Sequence, residues 1–173
     1  MNNMKGFTLL EILIATSIFL MLTAVALSLM LTSNEAWFTG STSIGLRQEI
    51  IKTLLTMEKE LKETRASQTN LSIGSTSSSL SFKIPKITNG SILDSSGNII
   101  WSNSIAYSLN ASKQIIRNDS VNTTVLGNNV TALNFTRPTA MGNILQINIT
   151  AQKTSPTRRV FRDTELMSIR MRN

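Results

Sequence analysis

Residues 12–31 form a run of 20 without a single charge close to the start of the chain, and everything downstream has to accommodate it. At about 1.5 Å of rise per residue, a helix of that length covers roughly 30 Å, the thickness of a bilayer's hydrocarbon core. The run therefore reads as a single membrane span. Ahead of it stands a short polar leader, residues 1–6, whose one cation is Lys5; beyond it the next charge is Glu35 and the next cation Arg47. Lys5 on the leading flank places the N-terminus in the cytoplasm and the chain after Ser33 outside it. A secretory signal would carry a shorter apolar core with its cleavage site behind it, and the core would be discarded. Here the Gly6-Phe7 junction precedes the core.

One carboxylate, Glu11, interrupts the apolar segment, where a charge is costly and calls for a partner. A cut between Gly6 and Phe7 would create an α-amino group at Phe7, four residues and roughly 6 Å of helix rise from Glu11. Cation and anion would then share the membrane boundary. The order Lys5-Gly6-Phe7-Thr8-Leu9-Leu10-Glu11, followed by an apolar run, resembles the type IV prepilin N-terminal motif. The resemblance implies cleavage by prepilin peptidase after Gly6, with Lys5 as the leader charge, and N-methylation of Phe7. It further implies that Glu11 meets the N-terminal amine of a neighbouring subunit during assembly. The implied partners are prepilin peptidase, other minor and major pilins or pseudopilins packed through the N-terminal helix, and inner-membrane lipid. The implied location is the bacterial inner membrane, single-pass, with the head extracytoplasmic and later part of a periplasmic or cell-surface filament.

The 173 residues include neither Cys nor His. Disulfides, thiolate zinc sites and Ser-His catalysis are thereby excluded, and no phosphate-cradling glycine loop or paired-carboxylate cleft is present. The chain reads as non-enzymatic, with no cofactor and no metal.

Past the span the expected organisation is α+β: a leader at 1–6, a membrane half of a long helix at 7–34, an amphipathic half at 35–66, and an antiparallel sheet head at 67–173. Trp37 suits the headgroup layer or packing against the head. Gly40 and Gly45 weaken helix locally and mark where it would bend. Apolar residues at Ile44, Ile50, Ile51, Leu54, Met57 and Leu61 form a stripe expected to cover the sheet, and Glu58 and Lys62 are spaced for an ion pair. Alternation predicts strands at Leu80-Phe82-Ile84, Ile105-Tyr107-Leu109 and Leu145-Ile147-Ile149-Ala151. Others are expected near residues 99–101, 114–117, 130–136 and 165–171. Turn residues at Asn89-Gly90, Ser96-Gly97-Asn98, Gly127-Asn128-Asn129 and Gly142-Asn143 separate them, and the Ser/Thr tract 75–79 is expected as a loop. Helix first and strands after, with a hydrophobic-Arg-Asn ending, is similar to the W-type minor pilins and the J-type minor pseudopilins of type II secretion.

Seventeen basic residues against ten acidic ones give a formal charge of +7, spread along the chain rather than concentrated. Arg158, Arg159 and Arg162, with Phe161 among them, form a candidate ligand contact, DNA included, with phosphates held by the cations and a base stacked on the ring. Asp163 and Glu165 nearby favour ion pairing instead. Asp94, Ser96 and Asn98 alternate like oxygen ligands of a calcium loop, but Ile105 stands where an EF-hand needs its glutamate, so a plain turn is expected. Two functions fit: an assembly subunit of a pilus or pseudopilus, and a tip pilin that binds DNA or another ligand.

Overall fold

The computed structural model describes residues 8–88, 90–140 and 142–172. Lys5, Gly6, Phe7 and Asn89 lie outside them. Helix α1 runs from Leu9 to Leu61 and is followed by a 3-10 turn, Ala66–Gln68. Eight strands follow: β1 (Thr76–Ser77), β2 (Leu80–Phe82), β3 (Ile105–Leu109), β4 (Ile115–Asn118), β5 (Thr123–Gly127), β6 (Val130–Thr136), β7 (Ile144–Thr154) and β8 (Val160–Arg170). The chain divides into two compact units, Met1–Ser41 and Thr42–Asn173, and α1 contributes to both.

In the first unit α1 carries no charge from Ile12 to Leu31, and four hydroxyls along it are turned back on the helix itself. Thr16 and Ser17 donate to Leu13 O, Thr23 to Phe19 O and Thr32 to Ser28 O, at 2.8 to 3.0 Å. Polar groups satisfied within the segment are what a helix in hydrocarbon requires. The expected weak point at Gly40 and Gly45 does not interrupt the helix, which continues through both. Each glycine costs about 1 kcal/mol relative to alanine, a cost that cooperative helix on either side outweighs.

In the second unit Leu46, Ile50, Leu54, Met57 and Leu61 are no more than 2% exposed and face the core. The expected stripe is thus corrected: Ile44 and Ile51 are exposed, 60% and 39%, and share the outer face with Leu55. This stretch carries apolar residues on two faces, and periodicity alone does not say which face meets the sheet.

The head has two antiparallel four-stranded sheets rather than one, ordered β2-β3-β4-β5 and β1-β6-β7-β8. Their inner faces meet around an aromatic line, with Tyr107 5.1 Å from Phe82 and 6.5 Å from Phe135, centroid to centroid. Three local expectations are revised. Residues 99–101 form isolated bridges, Leu93 to Ile99 and Pro85 to Trp101, because no described residue between 83 and 104 is buried and a ladder there has no apolar face to seat. The Ser/Thr tract holds a two-residue edge strand, β1, pinned to β6 by a 2.9 Å hydroxyl contact between Thr76 and Thr136. β5 was not expected at all, since only Val125 and Leu126 in it are large and apolar.

Polar contacts from α1 hold β5 and its neighbours. Thr53 Oγ1 donates toward Leu126 O at 3.0 Å, and Glu49 accepts from the Asn128 N–H and side-chain amide at 2.9 and 3.0 Å. A Cβ at Gly127 would come within 2.5 Å of Thr53 Oγ1, so the close approach of helix to strand requires glycine there. Further along, Glu60 accepts from Tyr107 Oη at 2.6 Å and Arg117 Nε at 2.9 Å, and Arg117 also reaches Asp119 at 2.8 Å. Burial and the bond to Glu60 push the Tyr107 hydroxyl far above its ordinary value, so it stays a donor. The predicted Glu58–Lys62 pair forms at 2.7 Å.

Candidate functional site

The first turn of α1 is where the sequence put its anomalous carboxylate. Thr8 precedes the helix as its N-cap, and Glu11 is the third residue inside it. The Thr8 N–H donates to Glu11 Oε2 at 3.0 Å, the Thr8 hydroxyl contacts the same oxygen at 3.1 Å, and the Glu11 N–H donates back to Thr8 Oγ1 at 3.3 Å. This is a capping box, which satisfies helix-end donors reciprocally and sets a negative charge at the positive end of the helix dipole. Sequence reasoning missed Thr8. The signal was present, because Thr8-Leu9-Leu10-Glu11 is the Thr-x-x-Glu spacing that predicts such a box.

The geometry gives Glu11 a partner on its own chain, built from residues that both lie after the Gly6-Phe7 junction. Oε2 is engaged, while Oε1 lies outside the box. Behind it, α1 is long and apolar enough to cross a membrane, with a mean hydropathy of 2.4 over its most apolar window and none of that window buried. Trp37 is 73% exposed.

The three arginines expected to act together are split by strand alternation. Arg158 occupies the β7–β8 turn with φ of 62°, and Arg162 lies exposed on the outer face of β8. Phe161 points the other way and packs against the core, so the ring expected to stack on a base is occupied. Asp163 accepts from the Thr164 N–H at 3.0 Å, and Glu165 pairs with Arg47 at 3.1 Å, which places both acids on the face opposite Arg162. In the 94–98 loop, Asp94 Oδ1 accepts from the N–H groups of Ser96 and Asn98 at 2.8 and 2.9 Å. Those bonds, chiefly that from Asn98, hold its carboxyl below the usual range. The carboxylate closes a turn. No group of three or more acidic residues gathers as metal ligands among the described residues.

Residues 1–27 match the family model of the prokaryotic N-terminal methylation motif. With a long N-terminal helix packed through its second half on two antiparallel sheets, the match supports a type IV pilin-like family. The motif implies processing by prepilin peptidase and assembly with other pilins, and the apolar helix fits membrane anchoring. No curated protein and no solved structure matches the chain.

Proposed function

We propose that the chain is a minor pilin or pseudopilin, a structural subunit that prepilin peptidase cuts after Gly6 and methylates at Phe7. It then enters or primes a type IV pilus or a type II secretion pseudopilus. The observation that carries this reading is the lone carboxylate in the first turn of α1, ahead of a long apolar, exposed stretch and inside a methylation motif. In the waiting subunit, which spans the inner membrane once with its head outside the cytoplasm, Thr8 keeps Glu11 hydrogen-bonded. On assembly a neighbour's Phe7 ammonium adds a charge-assisted bond at Oε1 without dismantling the box. A neighbour in the wrong axial register leaves the charge unpaired in hydrocarbon, so the pair sets register as well as affinity.

The outer face of α1 in the head supports a helical partner too. Ile44, Ile51 and Leu55 are exposed at spacings of seven and four, the a/d pattern of a coiled-coil seam. Expression of the full chain with and without prepilin peptidase, followed by intact mass and N-terminal sequencing, tests the reading. The expected product begins at methylated Phe7. A chain that still begins at Met1 after exposure to a compatible, active peptidase overturns it.

A further inference from the structure

Three turns gather at one end of the head: residues 110–113 between β3 and β4, residues 128–129 between β5 and β6, and residues 155–159 between β7 and β8. Hydrogen bonds tie the first two to each other and the second to the end of β7. Lys113 O accepts the Val130 N–H at 2.9 Å, Gln114 Nε2 donates to Asn128 Oδ1 at 3.0 Å, and Asn129 O accepts the Gln152 N–H at 2.8 Å. Contacts with α1 identify which end this is. Arg47 meets Glu165 and Glu49 holds Asn128, whereas farther along the helix Thr64 O accepts the Arg172 N–H at 2.9 Å. β8 therefore runs beside α1 in the same direction, and its first residues lie toward Thr42, where the helix enters the head. From Glu165 back to Val160 the strand extends about 16 Å that way.

This end is basic. Lys113, Lys153, Arg158 and Arg162 are all exposed. Of the nearby carboxylates, Glu49 holds Asn128, Glu165 pairs with Arg47, and Asp163 accepts the Thr164 N–H on the face of β8 opposite Arg162, so the cations outnumber the three acids here. Two of the cations also sit where a long side chain is disfavoured: Lys113 has φ of 59° and Arg158 has φ of 62°, left-handed positions that glycine or asparagine ordinarily fill. Backbone strain accepted at two turns of the same end, each time to present a cation, points to a function for the charge.

We propose that these turns form a contact for anionic lipid headgroups that holds the head against the bilayer before assembly. The inference rests on the membrane-anchor reading. The ten residues between Leu31 and Thr42 tether the head to the span, a covalent reach of roughly 15 Å as helix and 35 Å at full extension, so the surface stays accessible to it. Headgroup phosphates need only point charges near the surface. Single-stranded nucleic acid would also want an open aromatic face, and Phe161 is packed inward.

The test uses the full chain in nanodiscs of phosphatidylcholine alone or mixed equally with phosphatidylglycerol. Pro156→Cys supplies a single labelling site in a chain with no cysteine, and its fluorophore is read against a quencher carried on lipid headgroups. Quenching is expected to be at least about threefold stronger in anionic discs and to fall to the neutral-disc level in high salt. It should fall likewise when Lys113→Asn, Lys153→Gln, Arg158→Asn and Arg162→Gln are combined. Asparagine suits both left-handed turns, and an unchanged melting temperature shows the head intact. Equal quenching in both discs, or full quenching retained by the fourfold variant, overturns the proposal. Should a single-stranded oligonucleotide shift the label's emission in neutral discs while anionic lipid does not quench it, the patch belongs to nucleic acid instead. A chain that enters neither disc sinks the anchor reading, and this contact with it; a chain that inserts without differential quenching sinks the contact alone.

Discussion

The two stretches of helix α1, residues 9–41 and 42–61, share one backbone conformation and solve opposite problems. Along the first, large apolar side chains are exposed, Leu9 at 84%, Phe19 at 69% and Leu31 at 71%; along the second, Met57 and Leu61 reach 0%. Polar groups follow the same division. Thr23 bonds within its own helix, to Phe19 O, while Thr53 and Glu60 reach across to Leu126 and Tyr107. The first stretch turns Thr16, Ser17, Thr23 and Thr32 onto its own carbonyls and leaves its apolar surface for lipid or other helices. The head stretch has one face committed to its own core. An apolar helix surface is therefore a packing element or an unfilled interface according to where its polar residues send their hydrogen bonds.

The sharpest way to break that contrast is at Glu11, whose Oε1 lies outside the capping box. Glu11→Val should abolish incorporation into filaments while cleavage after Gly6 continues. Glu11→Gln separates two causes, because glutamine can still close the capping box with Thr8 but carries no charge. If both variants fail to assemble, the charge is what matters. Assembly by Glu11→Gln at the normal level would assign Glu11 to capping alone and remove the charge pair from the mechanism. Filament yield by shearing and immunoblot, with N-terminal sequencing of the cell-bound pool, reads both steps.

A smaller effect distinguishes the two faces of the head stretch. Met57→Ala should destabilise the head by about 2 to 5 kcal/mol, since a fully buried side chain leaves a cavity behind. Leu55→Ala, two residues away on the exposed face, should stay within about 0.5 kcal/mol and lower filament incorporation instead. Denaturant titration of the detergent-solubilised chain beside filament yield checks both; equal destabilisation by the two would mean that Leu55 belongs to the core.

Much of this was legible in the sequence where one requirement dominated. The long apolar stretch of α1 followed from an unbroken uncharged run, and β2, β3 and β7 from alternation with one face buried, as Ile105-Tyr107-Leu109 illustrates. Legibility failed where tertiary contacts decide. β5 is a strand because Thr53 and Glu49 hold its end and Gly127 lets the helix approach, none of which leaves a period in the sequence. Ile44 and Ile51 were assigned to the wrong face because two apolar stripes on one helix look alike until a sheet selects between them. At the functional site, Glu11 was conspicuous by its cost, while Thr8 was legible only through its Thr-x-x-Glu spacing to Glu11, because a lone hydroxyl at a helix start carries no cost that draws attention to it.

The smallest expected effect concerns acid, and it again separates head from anchor. The Asn122 N–H, then the Arg117 guanidinium and the Val121 N–H, pull Asp119 down to about 2 from an ordinary 3.8. A carboxyl with a depressed folded value binds protons more readily when unfolded, so its stabilising contribution is complete above the ordinary value and drains away as pH falls toward 2. Loss of that charge also releases Arg117, which holds Glu60 and through it the end of α1 against the first sheet. The melting temperature of the head should therefore drop between about pH 4.5 and pH 2.5, and drop less in Asp119→Asn, which has no charge to lose. Helix content contributed by residues 9–41, where Thr16, Ser17, Thr23 and Thr32 bond to their own helix, should not change with Asp119. If parent and Asp119→Asn lose the same number of degrees, the acid sensitivity lies with other carboxylates, and the Glu60–Arg117–Asp119 chain is not what fixes the helix end in acid.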